Sequence, residues 1–213
     1  MAAAGSRRSI RRNRGTLGIR STGSSGFQPA MVRAHSRACA KMQGMELRGR
    51  RVGIIGFGGI GREMARICAG IGMDVVVWNR SGVSDAGLRG VTLDELLATS
   101  DVVSLHLGLN EQTKGFLDAV RIASMKPGAI LVNTARGAII DEAALVAALR
   151  AGQIGHAALD VFATEPLPGN HPLRSVPNVT LTAHCGFWTE TSTVNQVRLV
   201  QGIVRRLQIA PAE

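Results

Sequence analysis

The chain has 213 residues, 45% of them hydrophobic, enough to bury a sizeable core as one large domain or two small ones. Its formal charge of +10 suggests a nucleic-acid partner, but nine of the 25 Lys and Arg residues and none of the 15 acids lie in residues 1–44, which leaves 16 bases against 15 acids for the rest. The basicity belongs to that segment, which argues against nucleic acid as a partner of the folded body. Cys39, Cys68 and Cys185 show neither C-x-x-C spacing nor a matching His cluster, which argues against a disulfide framework or a metal site and for a reducing, cytoplasmic compartment. No run approaches the roughly 20 apolar residues needed to span a membrane, and the first residues lack the apolar core of a secretory signal.

Residues 1–44 are rich in Arg, Ser, Gly and Ala and show no sustained apolar period, so they read as a disordered basic segment. Such a composition also resembles an organellar transit peptide; a solvated tail or a mis-set start site are the favoured alternatives. From residue 45 strands and helices alternate. Val52–Ile55 reads as a buried parallel strand, Arg62–Ile71 as a helix and Met73–Trp78 as a second strand. Thr92-Leu-Asp-Glu95 is a capping-box pattern ahead of a short helix. A strand over Asp101–Leu107, a helix over Leu117–Ser124 and a strand over Ala129–Thr134 follow. Asp141 caps a helix over Glu142–Ala151, which Gly152 closes. His156–Val161 and Asn178–Thr182 are two more strands, and Trp188–Leu207 a long last helix with apolar Val194, Val197, Val200, Ile203 and Leu207. Six strands separated by helices or crossovers predict an α/β, Rossmann-type doubly wound parallel sheet, ordered 3-2-1-4-5-6, as a single domain over 45–213.

The first strand runs into Gly56-Phe57-Gly58-Gly59-Ile60-Gly61 and a helix, the layout of a dinucleotide-binding turn. Gly56 permits the tight turn, Gly58 lets the backbone approach a pyrophosphate, and Gly61 lets the helix pack close to the strand. The pyrophosphate would sit on the N–H groups of the helix N-terminus. A glycine turn alone is a weak signal; the strand about twenty residues further on completes a βαβ unit of the expected size.

Three polar residues follow strand ends in the second half: Arg136, Glu165 and His184. In an open α/β sheet all three would face the crevice beyond the carboxyl ends of the strands. Arg clamps a planar carboxylate bidentately, His exchanges a proton near neutral pH, and Glu orients the imidazole and stabilises its protonated form. Singly, each is more often a surface cation, a loop acid or a structural histidine; together, beside a nucleotide site, they favour catalysis.

The segments Val52–Gly61, Leu105-His-Leu107, Asn133-Thr-Ala-Arg-Gly137, Leu159-Asp-Val-Phe-Ala-Thr-Glu-Pro166 and Thr182-Ala-His184 resemble the nucleotide-binding domain of the D-isomer-specific 2-hydroxyacid dehydrogenases over about residues 45–211. The resemblance implies that Arg136 binds the substrate carboxylate and the C2 oxygen. His184 would be acid in reduction and base in oxidation, and Glu165 would hold it and help keep it protonated. It implies that Asp160 bonds the nicotinamide amide, with a local backbone cap as the alternative. Leu107, Gly108, Thr113, Thr134, Ala135 and His184 would line the cofactor, the substrate would be a small 2-oxo or 2-hydroxy acid such as glyoxylate or hydroxypyruvate, and full-length relatives would be homodimers.

NAD-selective turns place Asp or Glu near position 79, where the carboxylate accepts bonds from the ribose 2′-OH and repels a 2′-phosphate. This chain has Asn79, Arg80 and Ser81 instead, a set that favours NADP over NAD. The family carries a second, substrate-binding domain, much of it before the nucleotide-binding one, and a C-terminal return helix that docks on it. The 44 unpatterned residues here are too few for that, so the expectation is a truncated dehydrogenase, with a non-catalytic NAD(P)-binding or interaction module as the alternative. Smaller departures are Gly108 and Ala183, where proline is usual, and Phe187.

Overall fold

A computed structural model describes residues 44–83 and 87–209. The chain falls into two units, Met1–Met45 and Glu46–Glu213. The expected disordered segment lies, but for residue 44, outside the described residues. In the second unit the order is β1 (Arg51–Ile55), α1 (Gly59–Ile71), β2 (Asp74–Trp78), β3 (Arg89–Gly90), α2 (Leu93–Thr99), β4 (Val102–Leu105), α3 (Ala119–Ala123), β5 (Ala129–Asn133), α4 (Glu142–Arg150), β6 (Ile154–Leu159), β7 (Val179–Leu181) and α5 (Glu190–Ile209). All pairings are parallel, in the order β3-β2-β1-β4-β5-β6-β7.

The sequence predicts six strands and misses β3, two exposed residues with no apolar run. The miss alters the topology. The third predicted strand, β4, lies beside β1, with Val52 opposite Val102, and the place beside β2 belongs to Arg89–Gly90. Counting that short strand restores the 3-2-1-4-5-6 order, and β7 extends it.

Alternation along β1 builds both faces of the sheet. Val52 and Ile54 join Val75, Val77 and, from α1, Ala65 and Cys68. Ile55 faces the other way, into the larger cluster with Leu96, Leu97, Val103, Leu105, Leu131, Leu145 and Ile154. Sliding β1 by one residue would exchange these sets, so packing on both faces fixes the register.

Side chains start four of the helices. Thr92 accepts from the Glu95 N–H at 3.2 Å, Asp118 from Arg121 at 2.9 Å, Asp141 from Ala144 at 3.0 Å and Thr189 from Ser192 at 3.0 Å. Each such cap contributes about 1 kcal/mol. The helix α1 differs: its N-cap is Gly58, no side chain bonds its first N–H groups, and its first turn holds no acid. Among its described residues α5 buries nothing beyond a half-covered Ser192, and Val194, Val197, Leu199, Val200, Ile203 and Val204 stay exposed. No helix among the described residues is long and apolar enough to cross a membrane.

Candidate active site

β1, β4, β5, β6 and β7 are sheet neighbours, so the loops after them share one end of the sheet. At the β1 loop Gly56 has φ +96°, and a Cβ there would lie 2.6 Å from the carbonyl oxygen of His106. A Cβ on Gly61 would lie 2.1 Å from the Gly56 oxygen, so only glycine lets α1 leave the strand this closely. Gly58, Gly59 and Ile60 are exposed, and a Cβ on Gly58 or Gly59 would meet nothing within 4 Å. Uncapped N–H groups, open space and the absence of acid suit the pyrophosphate of a dinucleotide.

Around this turn the expected cofactor residues gather in two groups. Asn79 accepts from the Phe57 N–H at 3.3 Å, and its amide donates to Ser81 Oγ at 2.8 Å and to the Gly82 oxygen at 3.3 Å, tying the glycine turn to the loop after β2. Arg80 donates to Gln112 Oε1. On the other side a cavity of about 360 Å³ is lined by Ile60, His106, Leu107, Gly108, Leu109, Thr134, Ala135 and Arg136. Thr113 staples its own turn: its hydroxyl donates to the Gly108 oxygen at 2.7 Å and accepts from Asn110 N–H at 2.8 Å. His106, absent from the expected set although the Leu-His-Leu segment contains it, bonds Ser104 Oγ at 3.0 Å, and burial pushes its pKa down.

Arg136, Glu165 and His184 follow β5, β6 and β7. Asn133 shapes the first turn, accepting from the Ala135 N–H at 3.0 Å and donating to the Arg136 oxygen at 2.9 Å. Exposed Arg136 donates from Nη1 to the Ala135 oxygen at 2.6 Å. Glu165 Oε2 lies 2.7 Å from His184 Nδ1, and Oε1 accepts from the Phe162 N–H at 2.9 Å. The bonds from His184 and Phe162, with the charges of His184 and Arg136, hold the Glu165 carboxyl below its ordinary range against a smaller opposing effect of burial. The Glu165–Pro166 peptide is cis. The loop is braced from α4, where Glu142 accepts from the Ala163 N–H at 2.8 Å. A cavity of about 570 Å³ beside this pair includes Phe162, Pro166, Leu167, Arg174, Leu181 and Ala183.

Asp160 is 6% exposed and organises the loop that carries the histidine. Its Oδ1 accepts from the Thr182 hydroxyl at 2.5 Å and the Cys185 N–H at 3.0 Å, and its Oδ2 from the Gly186 N–H at 2.9 Å. Burial raises its pKa, but these bonds and the charge of His184 outweigh burial and leave it lowered. The local cap is therefore present. His184 itself has φ +52°, a left-handed conformation that favours glycine and asparagine and is costly for most other side chains. No group of three or more His, Cys, Asp or Glu among the described residues could hold a metal.

A doubly wound sheet with a glycine turn at one end, and an Arg and a His–Glu pair on its next loops, is the architecture of a dinucleotide-binding domain. The family model for the D-isomer specific 2-hydroxyacid dehydrogenase NAD binding domain matches residues 20–186, and the chain belongs to that family. The match starts 25 residues ahead of the expected one, inside the N-terminal segment. The chain is 42% identical over 162 residues to a glyoxylate reductase of Aeropyrum pernix, covering 74% of this chain and 48% of that one. It is 42% identical over 165 residues to 4-methyl-2-oxopentanoate reductase A of Aspergillus oryzae, covering 76% and 50%. A solved D-isomer specific 2-hydroxyacid dehydrogenase from Xanthobacter autotrophicus, in complex with NADPH and MES, superposes with a TM-score of 0.65 at 37% identity, covering 72% and 51%. The chain thus spans about half the length of these two curated relatives.

Proposed function

We propose that this chain is the cofactor-binding part of a dehydrogenase that reduces a small 2-oxo acid, of the glyoxylate or hydroxypyruvate kind, to the 2-hydroxy acid, with NADPH preferred to NADH. The observation that carries the proposal is the 2.7 Å Glu165–His184 pair on the loops after β6 and β7, at the same end of the sheet as the Arg136 turn after β5 and the uncapped start of α1.

Residues 56–61 and the start of α1 would hold the pyrophosphate, and the cavity from Ile60 to Arg136 the nicotinamide side. The nicotinamide, when bound, supplies the hydride to C2 or takes it back. Glu165, kept ionised, accepts the Nδ1–H of His184 and so fixes the tautomer with Nε2 outward. In reduction Nε2 gives its proton to the carbonyl oxygen, and in oxidation it removes one from the hydroxyl. Arg136 spends one N–H on Ala135, and its remaining donors suit the planar carboxylate of the acid.

The NADPH preference is supported by charge. Asn79 uses its amide within the fold and offers no carboxylate against a 2′-phosphate, and Arg80 stands next to it. The resemblance supports a homodimer, and the unclustered cysteines support a reducing, cytoplasmic setting.

The test is a titration of the purified chain with NADPH and NADH, followed by addition of glyoxylate or hydroxypyruvate while cofactor oxidation is monitored. NADPH binding tighter than NADH, with turnover, is expected; binding of neither nucleotide defeats the proposal. One observation favours a second reading for the chain alone. Glu165 and His184 are 36% and 38% exposed at the side chain, so water is not excluded from the proton-transfer pair. Binding of NADPH without turnover would establish this chain as a nucleotide-binding module.

A further inference from the structure

We infer that Gln112 is a positioning residue that sets the preference between the two nicotinamide dinucleotides, by holding Arg80 across the adenosine end of the crevice. The inference rests on the NADP reading above. Arg80 belongs to the turn after β2, closed by the Gly82 N–H to the Asn79 oxygen at 2.9 Å, and Gln112 to the turn after β4. β2 and β4 flank β1 in the sheet, so the Arg80–Gln112 hydrogen bond joins loops 32 residues apart from either side of the strand that leads into the glycine turn. The adenosine ribose of a dinucleotide seated on that turn lies toward the end of β2.

Both anchors of the strap are built. Asn110 Oδ1 accepts from the Gln112 N–H at 2.9 Å and the Thr113 N–H at 3.1 Å, which pins the backbone that carries Gln112. On the other side Asn79 is bonded to Phe57 and Ser81, which pins the backbone next to Arg80. The two side chains themselves are exposed, so their bond contributes little to folding and its removal leaves the protein intact.

The chemistry explains the choice of an amide. The Gln112 carbonyl is a neutral acceptor; it takes one of the five N–H donors of the guanidinium and leaves the charge and the other donors for a 2′-phosphate. A carboxylate at the same place would pair with Arg80 and repel the phosphate. Gln112 therefore holds Arg80 without neutralising it.

The experiment measures NADPH and NADH binding to the full chain and to Gln112→Glu, Gln112→Ala and Arg80→Ala by nucleotide fluorescence. Gln112→Glu is expected to weaken NADPH about tenfold and NADH less than about twofold, with Gln112→Ala losing about threefold for NADPH alone. Equal losses for both nucleotides in Gln112→Glu, or no loss in either, overturn the inference. If Arg80→Ala weakens NADPH selectively while Gln112→Glu does not, the inference falls and the NADP reading stands. If Arg80→Ala shows no selective loss, or the unmodified chain binds neither nucleotide, the NADP reading falls and takes the inference with it.

Discussion

The α-carbon of Gly137 rests against the backbone of Phe162: a Cβ on Gly137 would lie 1.9 Å from the Phe162 carbonyl carbon and 2.4 Å from the Ala163 nitrogen. The turn carrying Arg136 and the loop carrying Glu165 thus touch backbone to backbone, and the contact sets the separation of the two groups. Neither backbone can move aside as a flexible side chain would. Gly137→Ala is expected to lower stability by about 2 to 4 kcal/mol, read from the urea midpoint. Gly108→Ala, where a Cβ meets nothing within 4 Å, should stay within about 0.5 kcal/mol of the parent. Equal midpoints for the two variants would show that the contact is looser than described.

Asp160 links stability to pH. Its folded pKa lies below the ordinary value, so the unfolded chain takes up the proton first as acid is added. The stabilisation is present above the ordinary carboxylate range and is lost as pH falls through it toward the folded value. Asp160→Ala leaves the Thr182 hydroxyl and the Cys185 and Gly186 N–H groups without their acceptor and should cost about 2 to 4 kcal/mol near neutrality. Urea midpoints between about pH 2.5 and 6 should show a shallower acid dependence for the variant than for the parent. An unchanged slope would mean that other carboxylates dominate.

Glu165→Gln keeps the shape of the side chain and removes the carboxylate that faces His184 Nδ1. The amide can present an N–H where an acceptor is required, so the imidazole loses its fixed tautomer. Turnover is expected to fall roughly 100-fold while NADPH binding changes by less than about twofold. Parallel losses in binding and turnover would assign Glu165 to cofactor seating instead.

Helix α5 stands apart from the cooperative core. With no buried apolar side chain among residues 190–205, that stretch of the helix draws its stability from local propensity and not from the core. Deleting residues 190–213 should shift the urea midpoint by less than the equivalent of about 0.5 kcal/mol, and the α5 amides should exchange with deuterium far faster than those of β1 and β4. Protection of α5 amides comparable to that of β1 would show that the helix is packed in solution.

The sheet was legible because its strands are apolar runs with turn signals between them. Val52–Ile55 is buried on both faces, Ala129–Asn133 is buried on one face and half-buried on the other at Ile130 and Val132, and both stand out in the sequence as apolar runs. Arg89–Gly90 was not legible: two exposed residues held by pairing with Val76 and Val77 carry no pattern of their own, and the strand order slipped with them. The proposed catalytic group, Arg136, Glu165 and His184, was visible because each member follows a strand end. The second task of Asp160 was visible only as an alternative, since a strand-end acid looks the same whether it binds a ligand or caps a loop. The Arg80–Gln112 bond was invisible, because polar residues in two loops become neighbours only once β1 is placed between their strands.

The backbone at His184, φ +52°, makes position 184 one where two kinds of selection disagree. A screen that rewards only folded protein would enrich glycine and asparagine there, residues at ease in left-handed backbone, and reject valine and isoleucine. If His184 transfers the proton as proposed, a screen that rewards turnover would accept histidine alone. The tip of the last strand is thus a place where a more robust protein and a working one have different sequences, and a lineage released from catalysis would drift toward glycine or asparagine at this residue.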